Sequence, residues 1–222
     1  MQRYVVVGLG HFGSWVARAL TAQGHDVIGI ESRESLVDRY GHEVTRAVVG
    51  DATDRDLLRE VGADKADTAI ISTGENLATS ILATLALRDL GVKDIYVKVG
   101  SDDAARALDA IGVTETIFPE REVAHRLARR LASRTILDYI PLGSGVSIQE
   151  LAIPDAWIGQ TLKGLALPAQ HGIQVVAIHD VLTGAIDVVP DPDRTLRDSD
   201  IAIVAGQDSV IATLTRSGRK RS

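Results

Sequence analysis

Apolar positions along the chain fall into two rhythms. In the first part, short β-branched runs at 4–7, 27–30, 44–49, 68–72, 95–99 and 116–118 predict strands. Between them the apolar spacing lengthens to three and four residues. This predicts helices beginning near Phe12, Glu34, Arg55, Asn76, Asp103 and Arg121. Strands that are apolar throughout must be covered on both faces. Strict strand–helix alternation therefore predicts an α/β fold, a doubly wound parallel sheet in the order 3-2-1-4-5-6.

The sixth helix, expected over 121–133, is amphipathic. Val123, Leu127 and Leu131 recur at four-residue spacing, and Ala124 and Ala128 widen the stripe. Glu122, Arg126, Arg129 and Arg130 form the opposite face. Two readings stay open. The stripe covers its own sheet, or, because the sixth strand already completes that sheet, the helix crosses over to another subunit.

After Pro141 and Gly143 the rhythm changes. Strands are expected at 147–153, 173–178, 185–189 and 201–205, with a short helix at 161–169 and a closing helix at 209–214. Pro190-Asp191-Pro192-Asp193 reads as a turn. This is a second, smaller α+β domain. The expected organisation is a first domain at 1–133 that includes the crossover helix, a linker at 134–145, the second domain at 146–216 and a basic tail at 217–222.

Composition narrows the function. Of 222 residues 45% are hydrophobic, enough for a sizeable core, but only 4% are aromatic. The core is therefore aliphatic. A net charge of −6 speaks against a nucleic-acid partner, and the absence of cysteine removes disulfides and thiolate chemistry. Met1-Gln2-Arg3 leads straight into the first strand with no signal-peptide pattern, and no run of about 18 apolar residues occurs. The expected location is cytoplasmic, with any membrane role exercised through a partner.

The candidate chemistry begins at Gly8-Leu9-Gly10-His11-Phe12-Gly13. This G-x-G-x-x-G closes the first strand and opens the first helix, the context in which it binds a dinucleotide or mononucleotide diphosphate. The domain is therefore Rossmann-like. Gly8 permits the tight turn, Gly10 lets backbone approach a pyrophosphate, and Gly13 lets helix and strand pack closely. Backbone N–H groups and the helix dipole then favour the anion. Glu31 closes the second strand, where a carboxylate accepts ribose hydroxyls and repels a 2′-phosphate. That favours adenosine nucleotides or NAD over NADP, although Arg33 follows closely. Asp51 and Ala52 end the third strand beside the expected adenine, and Thr73-Gly74 ends the fourth at the crevice. Each of these also reads as an ordinary turn residue.

No G-x-S-x-G, H-E-x-x-H or metal-ligand histidine spacing occurs. His171 and His179 straddle a helix–strand boundary and read as structural histidines. The chain is read as a binding module and not as an enzyme. The alternative is a small NAD(P)-dependent oxidoreductase.

Val6-Val7-Gly8-Leu9-Gly10-His11-Phe12-Gly13, Gly50-Asp51-Ala52-Thr53, Tyr96-Val97-Lys98 and Phe118-Pro119-Glu120 follow in the order seen in RCK proteins, regulators of potassium conductance. The second domain resembles TrkA-C through Gly159-Gln160-Thr161-Leu162, Gly172-Ile173-Gln174-Val175-Val176-Ala177-Ile178, Pro190 and Asp198-Ser199-Asp200. The chain thus resembles the KtrA/TrkA type of cytosolic subunit over almost its whole length.

The resemblance implies a homo-oligomeric ring, commonly an octamer, docked on a membrane potassium-transporting subunit of the KtrB/TrkH type. ATP or ADP, with NAD or NADH as an alternative, is the implied ligand. Lys98 is implied to face the outer phosphates. Glu120 is implied to help hold Mg2+ or another cation with the nucleotide, although it also reads as a helix N-terminal acid. Related proteins bind cyclic di-AMP in the second domain. Here Ala169-Gln170-His171-Gly172 and Pro190 occupy that region, which leaves the ligand open. A third reading is an RCK-type regulator of another cation transporter. His11 departs from the arginine common in the family. A neutral imidazole is a poorer phosphate partner than a permanent cation. Nucleotide affinity is expected to strengthen as pH falls. Isothermal titration at pH 6 and pH 8 checks this, and equal affinities contradict it.

Overall fold

The computed structural model describes residues 1–74, 76–132 and 136–217. The expected helix end at Ser133, the start of the expected linker and all but the first residue of the basic tail lie outside them, as do the side chains of Arg129 and Arg130. The chain divides into two compact units, Met1–Arg121 and Glu122–Ser222.

The first unit runs β1 (Arg3–Val7), α1 (His11–Ala22), β2 (Asp26–Glu31), α2 (Glu34–Tyr40), β3 (Arg46–Val49), α3 (Arg55–Glu60), β4 (Thr68–Ile71), α4 (Leu77–Asp89), β5 (Asp94–Lys98), α5 (Asp102–Ala110) and β6 (Glu115–Ile117). The strands pair in the expected order β3-β2-β1-β4-β5-β6, all parallel. Successive side chains point to opposite faces, and both faces are filled. Val5, Val7, Ile28, Ile30, Ala69 and Ile71 join one core, where they meet Leu58, Ala83 and Leu87. Val6, Val27 and Ile70 join another, with Leu9 and Ala17. Apolar strands without polar alternation follow directly from this double cover.

Asp54, Asn76 and Ser101 cap α3, α4 and α5 by accepting first-turn N–H groups. At α1 the cap position is Gly10, and no side chain caps that end. The next helix, α6 (Pro119–Ala132), crosses the division between the units. Its first turn belongs to the first unit. There Arg121 lies 3.6 Å from the centre of the Phe118 ring and pairs with Asp102 at 2.8 Å. The division between the compact units falls within this helix, after Arg121. Val123, Leu127 and Leu131 are 54%, 50% and 77% exposed. The apolar stripe is thus exposed in the single chain.

The second unit runs β7 (Ile136–Gly143), β8 (Val146–Ala152), α7 (Leu162–Leu165), α8 (Leu167–His171), β9 (Gln174–Asp180), β10 (Ala185–Asp187), β11 (Asp200–Gln207) and α9 (Asp208–Ser217). Its sheet is ordered β10-β9-β11-β8-β7, with antiparallel pairing. Leu151, Ile153, Trp157, Leu167, Ile173, Ile178, Ala202, Val204 and Ile211 form the core.

Three expectations are corrected here. The stretch read as a linker at 134–145 supplies β7, an edge strand. An edge strand tolerates Pro141 because one side of its backbone needs no ladder bond. The single helix expected at 161–169 is two short helices. Ala166 takes a left-handed φ of 43°, and Pro168 supplies no N–H to carry a helical ladder across the break. The strand expected at 185–189 is shorter and stops at Asp187. Among the described residues, no helix is long and apolar enough to cross a membrane.

Candidate functional site

A crevice of about 570 Å³ opens at the carboxyl ends of β1, β2, β3, β4 and β5. This is where open parallel sheets bind ligands, because the strand order reverses between β1 and β4. Every residue singled out from the sequence for the nucleotide site lines it except Gly13, which supports its floor. Gly8, Gly10, His11 and Phe12 come from the first turn, Glu31 from β2, Asp51 and Ala52 from the end of β3. Thr73 and Gly74 follow β4, Lys98 ends β5 and Glu120 opens α6.

The first turn is shaped by its glycines. Gly8 has a φ of 86°, and a Cβ there would run into the backbone carbonyl of Ser72. A Cβ on Gly13 would strike the carbonyl oxygen of Gly8. Those two positions bring β1, β4 and α1 into close approach. Gly10 differs. It has an ordinary φ of −66°, and nothing lies within 4 Å of where its Cβ would be. Its missing side chain leaves open space in the crevice and not in the core. The uncapped end of α1 faces that space with unpaired first-turn N–H groups and the positive end of the dipole. Such a helix end is chemically suited to an anion.

Glu31 is only 5% exposed. Its Oε2 accepts the Leu9 amide N–H at 2.8 Å, tying β2 to the glycine turn. Its Oε1 accepts the Arg33 amide at 3.1 Å, the Arg33 Nε–H at 3.2 Å and the Ser32 hydroxyl at 3.3 Å. Asp51 accepts the amide and hydroxyl of Thr53, at 2.9 and 2.8 Å, and thereby fixes the turn after β3. Both bonds fall on Oδ1, and Asp51 also lines the crevice. Thr73 and Ser80 share a hydroxyl–hydroxyl bond of 2.7 Å that anchors the β4 end of the crevice to α4. His11 is exposed on the rim.

At the far side Lys98 Nζ lies 2.7 Å from a Glu120 carboxylate oxygen. The hydrogen bond from Lys98 holds the Glu120 carboxyl below the ordinary value of 4.5, aided by a backbone hydrogen bond. A folded-state value depressed in this way means that the pair contributes fully above about pH 4.5 and fades as pH falls through the lower value. Glu120 is largely exposed, so water screens the contribution. Lys98→Met is expected to return the Glu120 titration upward toward 4.5, read by carboxyl NMR. An unchanged titration contradicts the pairing.

Among the described residues there is no cluster of three or more His, Asp or Glu arranged to hold a metal. Glu120 already faces an ammonium group. The cation expected at Glu120 would be held together with a nucleotide phosphate, and in the single chain that carboxylate pairs with Lys98. In the second unit, Ala169 to His171 end α8 and Gly172 caps it through its N–H to the Pro168 carbonyl. These are the bonds of a helix end, and they assign no ligand.

Ser32, Ser72, Asn76 and Thr79 also line the crevice and were not singled out as site residues. For Asn76 a signal existed: an Asn before an apolar run marks a helix cap at a strand's carboxyl end. The hydroxyl residues carry no pattern of their own.

Residues 4–119 match the model of the TrkA-N domain, and residues 146–217 that of the TrkA-C domain. Among curated proteins, the "Ktr system potassium uptake protein C" of Bacillus subtilis (strain 168) is 35% identical over 205 residues, covering 92% of each chain. The "Ktr system potassium uptake protein A" of Vibrio alginolyticus is 33% identical over 216 residues, covering 97% of each. Among solved structures, one described as the GsuK channel bound to NAD superposes on the whole chain with a TM-score of 0.66 at 17% identity. That is a likeness of fold, and the chain spans 40% of that longer chain.

Proposed function

The chain belongs to the TrkA-N/TrkA-C family, the RCK-type potassium-uptake proteins, and from that premise we propose that it is a cytosolic regulatory subunit that senses an adenine nucleotide and gates a membrane potassium transporter of the KtrB/TrkH type. The observation that carries the reading is the open, uncapped α1 end at Gly10, set between the Glu31 carboxylate and the Lys98 ammonium. A diphosphate fits the first, a ribose the second, and a terminal phosphate the third. ATP or ADP is the proposed ligand. The NAD of the GsuK structure supports a dinucleotide as the alternative. Cyclic di-AMP in the second unit is left out of the proposal.

Gating follows from unequal binding. A ligand shifts a two-state assembly only by its differential affinity for the two states. Tenfold inequality at one site is worth about 1.4 kcal/mol, and several sites in one ring add. The uncovered stripe at Val123, Leu127 and Leu131 supports assembly through α6. An octameric ring built from such dimers is the proposed form.

The relatives matched over nearly their full length are potassium uptake proteins, which favours this reading over the oxidoreductase alternative. Potassium uptake by cells lacking their own regulatory subunit, supplied with the matching membrane subunit with and without this chain, tests it. Native mass of the purified chain is measured alongside. Restored uptake and an oligomeric mass are expected. A monomer that leaves uptake unchanged contradicts the proposal.

A further inference from the structure

Among the described residues that line the crevice, the permanent cations are Arg33 and Lys98, and the carboxylates are Glu31, Asp51 and Glu120. Both cations are already paired. Arg33 Nε lies 3.2 Å from Glu31 Oε1, and Lys98 Nζ lies 2.7 Å from Glu120 Oε1. His11, the other basic side chain there, is not a permanent cation. A lining in which carboxylates outnumber permanent cations receives a chain of phosphates poorly. The two paired carboxylates differ. Glu31 is 5% exposed and also accepts the Leu9 and Arg33 amides, so it is fixed. The Glu120 side chain is 71% exposed, so it can turn into water without stranding a buried charge.

Strand order sets Lys98 on the side of the glycine turn opposite Glu31. β2 flanks β1 on one side, and β4 and then β5 lie on the other. Adjacent strands are about 4.8 Å apart, so β5 stands roughly 10 Å from β1. A nucleotide with its ribose at Glu31 and its first phosphate at the glycine turn extends toward Lys98 only as phosphates are added. We propose that Glu120 is a specificity-determining residue for phosphate number: in the empty crevice its carboxylate holds the Lys98 ammonium in place of an outer phosphate, so a triphosphate must displace it and a monophosphate need not. This rests on the adenine-nucleotide reading above and refines it. Donor number does not force the displacement, because an ammonium has three donors. Charge does. A carboxylate and a phosphate on one ammonium are like charges at close range, and Glu120 is the one with water to turn into.

The probes are AMP, ADP and ATP, titrated calorimetrically with a chelator present to remove divalent cations. The full natural chain is compared with Glu120→Gln and Glu122→Gln. Glutamine keeps the length and a carbonyl acceptor and removes the charge. Exposed ion pairs are weak, so ATP is expected to bind Glu120→Gln roughly three- to tenfold tighter than the natural chain. AMP is expected to stay within about twofold, and ADP to fall between. Glu122 is the next acid along α6, exposed and outside the crevice lining. Glu122→Gln is expected to leave the ATP-to-AMP ratio within about twofold, whereas a general loss of negative charge would move both variants alike. Carboxyl NMR reads the displacement itself. ATP is expected to raise the Glu120 titration toward 4.5 as Lys98 leaves it, and AMP to leave it in place. An ATP-to-AMP ratio that is unmoved or falls in Glu120→Gln, equal rises in both variants, or a Glu120 titration that ATP does not move overturns the inference while the nucleotide reading stands. Failure of AMP, ADP and ATP alike to bind overturns the adenine-nucleotide reading, and this inference with it.

Discussion

Gly8→Ala is expected to destabilise the first unit by about 4 kcal/mol, the sum of two separate costs. A left-handed backbone costs a non-glycine residue about 1–2 kcal/mol, and the φ at Gly8 is 86°. The second cost is steric. The new methyl meets the Ser72 carbonyl, and that backbone cannot retreat because the Ser72 amide is bonded to Val7 O at 2.7 Å. Overpacking of this kind typically costs about 1–3 kcal/mol. Gly10→Ala separates stability from function. Its φ is ordinary and its surroundings are open, so a change within about 1 kcal/mol is expected, from the poorer helix cap. Its methyl stands where a phosphate must approach the α1 amides, so nucleotide affinity is expected to fall at least about tenfold. Urea denaturation and nucleotide titration of both variants check the pair. Equal destabilisation by the two contradicts the assigned glycine roles.

Arg194→Ala is expected to cost the second unit about 3 kcal/mol or more, because removing one partner strands a buried charge. Asp200 is 1% exposed and opens β11. Arg194 Nη2 lies 2.8 Å from its Oδ1, and the Arg197 amide donates to its Oδ2 at 2.9 Å. Without Arg194 the carboxylate keeps the amide and loses its countercharge. Asp200→Asn in the same background is expected to recover part of the loss, since a neutral amide needs no partner ion. Chemical denaturation of both variants measures this. A loss below about 1 kcal/mol for Arg194→Ala, the range of surface pairs, contradicts a buried role for the bridge.

Asp198-Ser199-Asp200 entered the argument as part of a resemblance and proves to be structural at Asp200. The contrast with the glycine turn shows what a sequence makes legible. Gly8 and Gly13 mark positions where no other side chain fits, so the residue type itself carries the geometry. The six parallel strands were legible because double cover removes polar alternation from each of them. At β7 the same logic failed. Pro141 and Gly143 read as punctuation, and only pairing with β8 reveals that they belong to an edge strand and its turn. Ala166 gives no warning of a left-handed φ, so the break between α7 and α8 was invisible.

In the crevice the lining was legible and the bonding was not. Glu31 stood out by its place at the end of β2, but its saturation by Ser32 and Arg33 depends on rotamers that no spacing specifies. Lys98 and Glu120 meet because β5 and β6 are neighbours in the sheet and α6 starts directly after β6. That meeting follows from topology and not from either residue's local pattern. Asp51 lines the crevice as expected of its place after β3, and the bonds of its Oδ1 to Thr53 were not legible from spacing.

The most direct measurement is calorimetric titration of the purified chain with ATP, ADP and NADH, repeated on Gly10→Ala. At least one nucleotide is expected to bind with one site per chain, and that binding is expected to weaken at least about tenfold in the variant while its unfolding midpoint stays close to that of the natural chain. Binding of none of the three, or equal binding by both chains, would contradict the glycine turn as the seat of the ligand.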